Sequence, residues 1–378
     1  MEADTLSARR ILLGQLGGYG DCLYATTIAR QIKIDYPGCH LTWAIGSPYR
    51  SVLNGNPFVD QIWEIPITSH QDDWAQFEKE VIARKESGDF DEVFLTQISP
   101  NNFKNFDGTV RSSLFRGYPK PITVPVDPVM RLDPEEVEKV RCFAKTHRLS
   151  ERRHIILFEC APSSGQSFVT PVFAREVAQK LIDLTEDALV ILSSAMTQPL
   201  TGERIIDGSV LSFRENAELT KYCSLVVGCS SGISWLCTSD WAKPLPMVQL
   251  LAKKQSLYAS FIHDYESREA ETSSFIEMTD SSTDKVARCL AIICEKGFEA
   301  ARSVFNENIP LRFNFYTSIV YGLLIQGKHR DALISLGHAL GRYGPHRHLL
   351  FCIFRMLIKY FLRSGLGIAG RGAIIRKS

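Results

Sequence analysis

Residues 9–46, RRILLGQLGGYGDCLYATTIARQIKIDYPGCHLTWAIG, carry the pattern that predicts the fold. A short apolar run (10–13) breaks into a glycine-rich loop, and helical spacing of apolar residues follows over 22–36. A Pro-Gly pair ends this predicted helix, and a second apolar strand covers 41–45. Strand, helix and strand joined by short loops indicate a parallel α/β sheet.

The same alternation continues along the chain. In the first 150 residues, further strands are predicted at 61–65, 92–96 and 122–126, and a capped helix at 133–147. After a polar bridge near residue 150, strands are predicted at 154–158, 188–192, 210–213, 225–228 and 246–250. We therefore expect two Rossmann-like, doubly wound α/β domains, 1–150 and 151–282, that face a cleft. Ligands of such sheets bind at the carboxyl ends of the strands.

The last part of the chain, 283–378, is predicted to be an all-helical extension. Within it, residues 316–345 have the small-residue spacing of a tetratricopeptide-like helix pair. One such pair cannot bury its own apolar face, so it must dock on another part of the protein. We favour an ordinary helical hairpin that packs on the second domain.

Composition and charge exclude several classes of protein. The chain has 45% hydrophobic and 22% charged residues and a net charge of +1, which excludes a disordered chain, a collagen-like repeat and a nucleic-acid binder. However, residues 341–378 carry eight Lys and Arg and no acid. Removing these eight from the 43 cations of the whole chain leaves 35 basic against 42 acidic residues. The neutral total therefore conceals an acidic body and a basic tail.

The tail contains LLFCIFRMLIKYFL, residues 349–362, which is the pattern of a basic amphipathic helix. We expect residues 345–378 to bind an anionic membrane surface or an acidic protein partner; the alternative is a helix that packs back on the protein. The N-terminus lacks the apolar core of a secretory signal, and ten scattered cysteines fit a reducing compartment. We expect a cytoplasmic protein, peripheral at the inner face of the cytoplasmic membrane if the tail binds lipid.

The loop after the first strand is the first candidate site. Gly17, Gly18 and Gly20 would let a ligand approach the backbone closely, but they miss the dinucleotide-binding spacing GxGxxG. Asp21 follows at the start of the predicted helix. We expect the helix dipole and free N–H groups to keep its carboxyl ionised, so that it could accept a proton from a hydroxyl. The alternative is that Asp21 only caps the helix.

The second candidate site follows strands of the second domain. The predicted helix start at Ser230, Ser231, Gly232 and Ile233 would direct N–H groups at an anion such as a diphosphate; the alternative is a buried, serine-capped helix. A polar loop at the same edge contains Ser163, Ser164, Gln166 and Ser167. Glu159, at a strand end, is either a rival base or a ligand of a sugar hydroxyl.

Two patterns are read as structural. Residues 89–91 spell Asp-Phe-Asp, a metal-binding motif of enzymes with another fold, but they precede a strand and so lie opposite the ligand side; we expect a turn. The nine histidines show no paired spacing for a metal site. We therefore expect no metal.

The N-terminal motifs closely resemble those of heptosyltransferase-like glycosyltransferases (glycosyltransferase family 9), which have the GT-B fold. The matching features are the loop ending in Gly20-Asp21, the helix ending in Tyr-Pro-Gly (36–38) and Asn-Pro-Phe-Val-Asp at 56–60. Residues 228–232, GCSSG, resemble the family's nucleotide-binding segment, and the resemblance covers about 9–255. It implies that Asp21 is the catalytic base of an inverting, metal-independent transfer to a bacterial surface glycan or glycolipid of lipopolysaccharide or capsule type. The nucleotide-sugar donor is a substrate, and no cofactor is implied.

The chain departs from the family pattern at two places. The family has Asp-Ser-Gly and a later histidine, where this chain has Ser230-Ser231-Gly232 and Trp235. The family lysine is missing from 160–168, so the phosphate would be held by hydroxyls, N–H groups and Arg175 or Lys243. These departures leave two alternatives open: a non-catalytic GT-B scaffold that works through its helical tail, and a sugar-nucleotide epimerase.

Overall fold

The first half of the chain forms a parallel four-stranded sheet in the order β3-β2-β1-β4. The computed structural model describes residues 8–67, 70–162, 165–197, 202–254 and 256–374. The elements of this half are β1 (Arg10–Gly14), α1 (Tyr19–Asp35), β2 (His40–Gly46), β3 (Gln61–Ile65), α2 (His70–Glu86), β4 (Glu92–Leu95), α3 (Arg111–Phe115) and α4 (Pro134–Thr146). The predicted strands at 10–13, 41–45, 61–65 and 92–96 are confirmed. All of their carboxyl ends lie at one edge of the sheet.

The predicted strand at 122–126 is wrong. This segment crosses α1, and the side chain of Gln31 accepts hydrogen bonds from the N–H groups of Thr123 (2.8 Å) and Val124 (3.1 Å). Pro121 precedes the segment and Pro125 lies within it, and neither has an N–H to donate to a neighbouring strand. Hydrogen bonds to a helix side chain therefore replace those of a sheet.

The second half forms a parallel six-stranded sheet in the order β10-β9-β8-β5-β6-β7. Its elements are β5 (His154–Glu159), α5 (Pro171–Leu184), β6 (Ala188–Ser193), β7 (Ile205–Asp207), α6 (Glu215–Leu219), β8 (Leu225–Gly228), α7 (Gly232–Leu236), β9 (Met247–Leu250), α8 (Ser256–Ala259), α9 (Phe261–Glu266) and β10 (Phe275–Met278). The strand predicted at 210–213 is wrong, because β7 lies five residues earlier. Both faces of this sheet are covered, so its central strands are fully buried.

Five helices follow β10: α10 (Thr283–Lys296), α11 (Phe298–Phe305), α12 (Asn314–Ile325), α13 (His329–Tyr343) and α14 (Arg347–Ile374). Helix α10 packs on α5, and α11 contacts β10. The predicted helix pair over 316–345 corresponds to α12 and α13. It contacts the second half as predicted, since Phe315 packs on Tyr258 (5.2 Å between ring centroids) and Arg342 donates to the carbonyl of His263 (3.3 Å), but it also packs on the first half. The Ser335 hydroxyl of α13 donates to the carbonyl of Phe106 (2.6 Å), and Arg342 lies 3.4 Å from the buried carboxylate of Asp107. The pair therefore returns to the first half.

Helix α14 has one buried and one exposed apolar side. Leu349, Cys352 and Met356 are buried where the helix packs on α12. The opposite side exposes apolar side chains at Leu350, Phe351, Phe354, Ile358, Phe361 and Leu362, each between 43% and 65% exposed. Among the described helices, none combines the length and apolarity needed to cross a bilayer.

Buried ion pairs join the two halves. The guanidinium of Arg214, from the second half, pairs with the Glu136 carboxylate (2.6 Å) and donates to the carbonyls of Ser51 (2.9 Å) and Asn54 (3.0 Å). Asp240, also from the second half, accepts from the N–H of Met130 (2.9 Å). These contacts hold the carboxyl ends of the two sheets toward each other.

Candidate functional site

A cleft of about 1150 Å³ lies between the halves and is lined by residues from both. On the first half its walls come from the loops after β1, β2 and β4, and on the second half from the loops after β5, β6, β7 and β8. This is the ligand edge that the sequence predicts for two doubly wound sheets. The helical extension adds Phe315 and Ile319 of α12 to the same cleft.

The side chain of Gln97, just after β4, organises the loop after β1. Its Oε1 accepts from the N–H groups of Leu16 (2.9 Å) and Gly17 (3.0 Å) and from the amide of Gln15 (2.9 Å). The N–H of Gly17 is therefore used within the protein, although Gly17 lines the cleft as predicted and its role toward a donor stays a prediction. Sequence reasoning missed Gln97, whose partners lie about 80 residues earlier in the chain.

Asp21 lines the cleft in the first turn of α1, where it is partly buried. None of the described residues donates a hydrogen bond to its carboxyl, and burial raises its pKa from 3.8 to about 7. The prediction that the helix N-terminus keeps this group ionised is wrong, because desolvation outweighs the dipole. A carboxyl with a pKa near 7 is well matched to accept a proton at neutral pH.

Three glycines near Asp21, namely Gly18, Gly20 and Gly232, stand where a side chain would meet a neighbouring residue. Gly18 has a φ of +81°, and a Cβ there would lie 3.2 Å from the Asp21 carboxyl. A Cβ on Gly232 would lie 3.0 Å from Tyr19, and one on Gly20 would lie 3.4 Å from Trp235. Gly20 and Gly232 thus serve packing between the halves, in addition to lining the cleft.

The side chain of Glu159 holds the segment after β8 in place. Its carboxylate, 3% exposed, accepts from the N–H groups of Cys229 (2.9 Å) and Ile233 (3.0 Å) and from the Ser234 hydroxyl (2.5 Å). Both oxygens are engaged by protein donors, so the geometry contradicts the predicted role of a rival base. It also corrects the prediction for Ile233, whose N–H binds Glu159 and not a ligand.

Some of the groups predicted to bind an anion in the segment 230–232 are available in the structure. The N–H of Ser230 donates to the side chain of Gln249 (2.9 Å), whereas those of Ser231 and Gly232 bind no described residue. The Ser230 hydroxyl is buried at the cleft without a hydrogen-bond partner. Two N–H groups and one hydroxyl are therefore available here.

The polar loop after β5 is only partly described. Ser163 and Ser164 lie outside the described residues. Ser167 is structural, since its hydroxyl donates to the carbonyl of Leu250 (2.5 Å). Gln166 lines the cleft, and its buried Oε1 has no hydrogen-bond partner, so it remains a candidate ligand group.

The cleft contains acids but no cation among its described lining residues. Asp21 and Glu159 line it, and no Lys, Arg or His does. The two predicted phosphate ligands are not in the lining: Lys243 donates to the Cys223 carbonyl (3.0 Å), and Arg175 lies in α5. No group of three potential metal ligands occurs among the described side chains. Residues 89–91 form the predicted turn, where Asp91 accepts from the N–H of Arg10 (2.7 Å).

Trp235, which stands where the family has a histidine, belongs to an aromatic stack between the halves. Its ring stacks on Phe261 (3.7 Å between ring centroids) and packs against Tyr24 (4.8 Å). The guanidinium of Arg111 lies over both Tyr24 (4.5 Å) and Trp235 (4.9 Å) and pairs with Asp264 (3.3 Å). Tyr24 and Trp235 line the cleft, so this buried cation supports part of its wall, and the sequence offered no signal for it.

Several solved structures are similar to this one. A glycosyl transferase of family 9 from Veillonella parvula DSM 2008 superposes with a TM-score of 0.54 at 13% identity, over 88% of this chain and 99% of that one. E. coli ADP-heptose lps heptosyltransferase II has a TM-score of 0.46 at 13% identity, over 76% and 99%. A UDP-N-acetylglucosamine 2-epimerase has a TM-score of 0.43 at 10% identity, over 86% and 98%.

No protein-family model and no curated protein sequence matches the chain. At 13% identity, the likeness to the Veillonella protein establishes a shared fold. The two parallel sheets, flanked by helices and followed by a C-terminal helical region, agree with it. The chain therefore has the α/β GT-B fold of the family 9 glycosyl transferases.

Proposed function

We propose that this protein is a glycosyltransferase in which Asp21 removes the proton of an acceptor hydroxyl. The observation that carries the proposal is the carboxyl of Asp21, which lines the cleft between the halves and has a pKa raised to about 7 by burial. A base with this pKa is unprotonated in about half of the molecules at neutral pH, and it can accept the hydroxyl proton in the transition state, as the attacking oxygen becomes acidic.

The proposed donor is a nucleotide-activated sugar. Its diphosphate would lie at the N–H groups of Ser231 and Gly232 and the hydroxyl of Ser230, which have no partner among the described residues. The acceptor oxygen attacks the anomeric carbon as Asp21 takes its proton, and the bond to the diphosphate breaks. A single displacement of this kind inverts the anomeric configuration. Metal independence and the absence of a cofactor are part of the proposal; unchanged turnover in EDTA would support the former.

The acceptor is proposed to be a bacterial surface glycan or glycolipid, of lipopolysaccharide or capsule type. This part rests on the sequence resemblance and on the shared fold. The donor sugar and its nucleotide follow from neither.

The test of the base is the substitution Asp21→Asn, which keeps the size of the side chain and removes its basicity. We expect transfer from a nucleotide sugar to fall at least a hundredfold. The matched control is Asp331→Asn, because Asp331 also lies in the first turn of a helix, α13, but outside the cleft. Undiminished transfer by Asp21→Asn would refute the assignment.

A second candidate function is a non-catalytic GT-B scaffold that works through its helical tail and binds no nucleotide, and the lack of a cation in the described cleft lining favours it. Binding of ADP, GDP, UDP, CDP and CMP, measured by calorimetry, separates the two. Because no cation of the described lining could bind a second phosphate, we expect the dissociation constants of CMP and CDP to differ by no more than a few-fold. If none of the five binds, the donor site is refuted. The epimerase alternative is not supported, because it needs a histidine in the cleft and the described lining has none.

We further propose that α14 binds an anionic membrane surface, at the cytoplasmic face of the inner membrane. Its exposed apolar side is accompanied by exposed Arg347, Arg355, Lys359 and Arg363, a combination that suits the interface of a bilayer with acidic lipids. The substitutions Arg355→Glu and Lys359→Glu together should abolish sedimentation with phosphatidylglycerol vesicles. Equal sedimentation with and without these charges would refute the proposal and leave an acidic protein as the partner to test.

A further inference from the structure

The cleft has two chemically unlike ends. Along the carboxyl edge of the second sheet, the part from β9 through β8, β5 and β6 to β7 is about 19 Å long at about 4.8 Å per strand spacing. The end beside β6 and β7 is polar, with Ser193, Ser209 and Asn216 in the lining. The end beside β9 and β4 is aromatic. Asp21, after β1, and Gly232, after β8, lie between these ends.

Five side chains from three parts of the chain build the aromatic end: Phe103 and Phe106 after β4, Tyr258 in α8, and Phe315 and Ile319 in α12. Their rings are in contact, with 5.2 Å between the centroids of Tyr258 and Phe315 and 6.5 Å between those of Phe106 and Phe315. Burial raises the pKa of Tyr258 to about 12. Phe315 nevertheless keeps 38% of its surface exposed, because it faces the open cleft.

The aromatic end suits an uncharged, apolar ligand group. No Lys, Arg or His lines the described cleft, and its two carboxylates follow β1 and β5, away from β9. A nucleobase would bury several polar atoms. Most of the serine and asparagine side chains in the lining follow β6, β7 and β8, whereas Ser99 alone of them follows β4. The aromatic end therefore fits hydrocarbon better than a base.

The position of α12 indicates where such a group would come from. This helix lines the cleft with Phe315 and Ile319 and packs on α14 with another side, where the Cys352 thiol lies 3.1 Å from the Asn314 side chain and Lys359 lies over the ring of Tyr321 (4.6 Å). The helix beside the aromatic end thus carries the exposed apolar and basic surface of α14.

We infer that the aromatic end binds the hydrocarbon chain of a lipid-linked acceptor and so presents the acceptor hydroxyl to Asp21. The inference rests on the proposed function for the role of the bound molecule. The binding site itself stands on the geometry of the five side chains and can be tested without turnover.

The test measures binding of methyl, hexyl and octyl β-glucoside to the full chain by calorimetry, below the micelle concentration and in the Asp21→Asn background. Each methylene that enters an apolar site tightens binding about fourfold, so octyl glucoside should bind at least tenfold more tightly than the methyl compound. Phe315→Ala, at a half-exposed position, should weaken the binding of octyl glucoside about tenfold and leave that of methyl glucoside unchanged. Ile319→Gln, a second variant, should also reduce it.

The matched control is Phe354→Ala, an exposed phenylalanine of α14 that does not line the cleft. It should leave the chain-length dependence unchanged. Equal affinity for all three glucosides, or a loss with Phe354→Ala and none with Phe315→Ala, would overturn the inference. A loss of UDP or ADP binding in Phe315→Ala, with octyl glucoside unaffected, would place a base there and would also overturn it. Tight octyl glucoside binding without any sugar transfer by the unmodified chain would refute the proposed function alone.

Discussion

Replacing Asp21 by Asn should stabilise the protein at neutral pH while it removes the proposed base. Burial raises the pKa of Asp21 from 3.8 to about 7. At 1.36 kcal/mol per pK unit, ionising this group costs about 4 kcal/mol more in the folded protein than in the unfolded chain. We therefore expect Asp21→Asn to gain about 4 kcal/mol at pH 8.

The sign of the pH dependence follows from the direction of the pKa shift. Between about pH 4 and pH 7 the folded protein holds the Asp21 proton and the unfolded chain releases it, so stability falls as pH rises through this window. Asn has no such proton. The difference in stability between Asp21→Asn and the unmodified protein should therefore be near zero at pH 4 and reach its full value above pH 7.

The assay is urea unfolding followed by tryptophan fluorescence at pH 4.5, 6 and 8. The control, Asp331→Asn, occupies the same helix position outside the cleft and should lose stability slightly at every pH, because a favourable interaction with the helix N-terminus is removed. If Asp21→Asn is no more stable than the unmodified protein at pH 8, the carboxyl is not destabilised by burial, and the argument for a raised pKa is refuted.

Three further outcomes follow from the same contacts. The rate of sugar transfer should rise with pH and level off above about 7, because Asp21 must be unprotonated to act; a kcat/KM profile that is flat from pH 5 to 8 would contradict this. Glu159→Gln should cost about 1.5–3 kcal/mol in urea unfolding, since it weakens charge-assisted bonds to two N–H groups and a hydroxyl. Arg214→Met should cost about 3–5 kcal/mol, because it leaves the carboxylate of Glu136 without its buried partner, and small-angle scattering should show a larger radius of gyration if the halves then separate.

The parts of the fold that depend on local pattern could be read from the sequence. The apolar run at 10–13, the glycine loop and the helix to about residue 36 predict β1 and α1 within a few residues, and with them the place of Asp21 at the cleft. The strand predicted at 122–126 failed although its apolar residues are suitable. Its hydrogen bonds go to Gln31, about 90 residues earlier, and no local pattern reveals such a partner.

Some of the roles predicted for site residues were wrong for the same reason. A glutamate at a strand end reads as a candidate base, but Glu159 is used by Cys229, Ile233 and Ser234, which lie 70 to 75 residues later. Asp21 reads as an ionised helix cap, whereas its pKa depends on how closely the two halves enclose it. Periodicity and capping are properties of neighbouring residues, so the sequence by itself determined the two α/β halves and the position of Asp21. Desolvation, hydrogen-bond partners and the return of α12 and α13 to the first half depend on residues brought together from distant parts of the chain, and only the tertiary structure decided them.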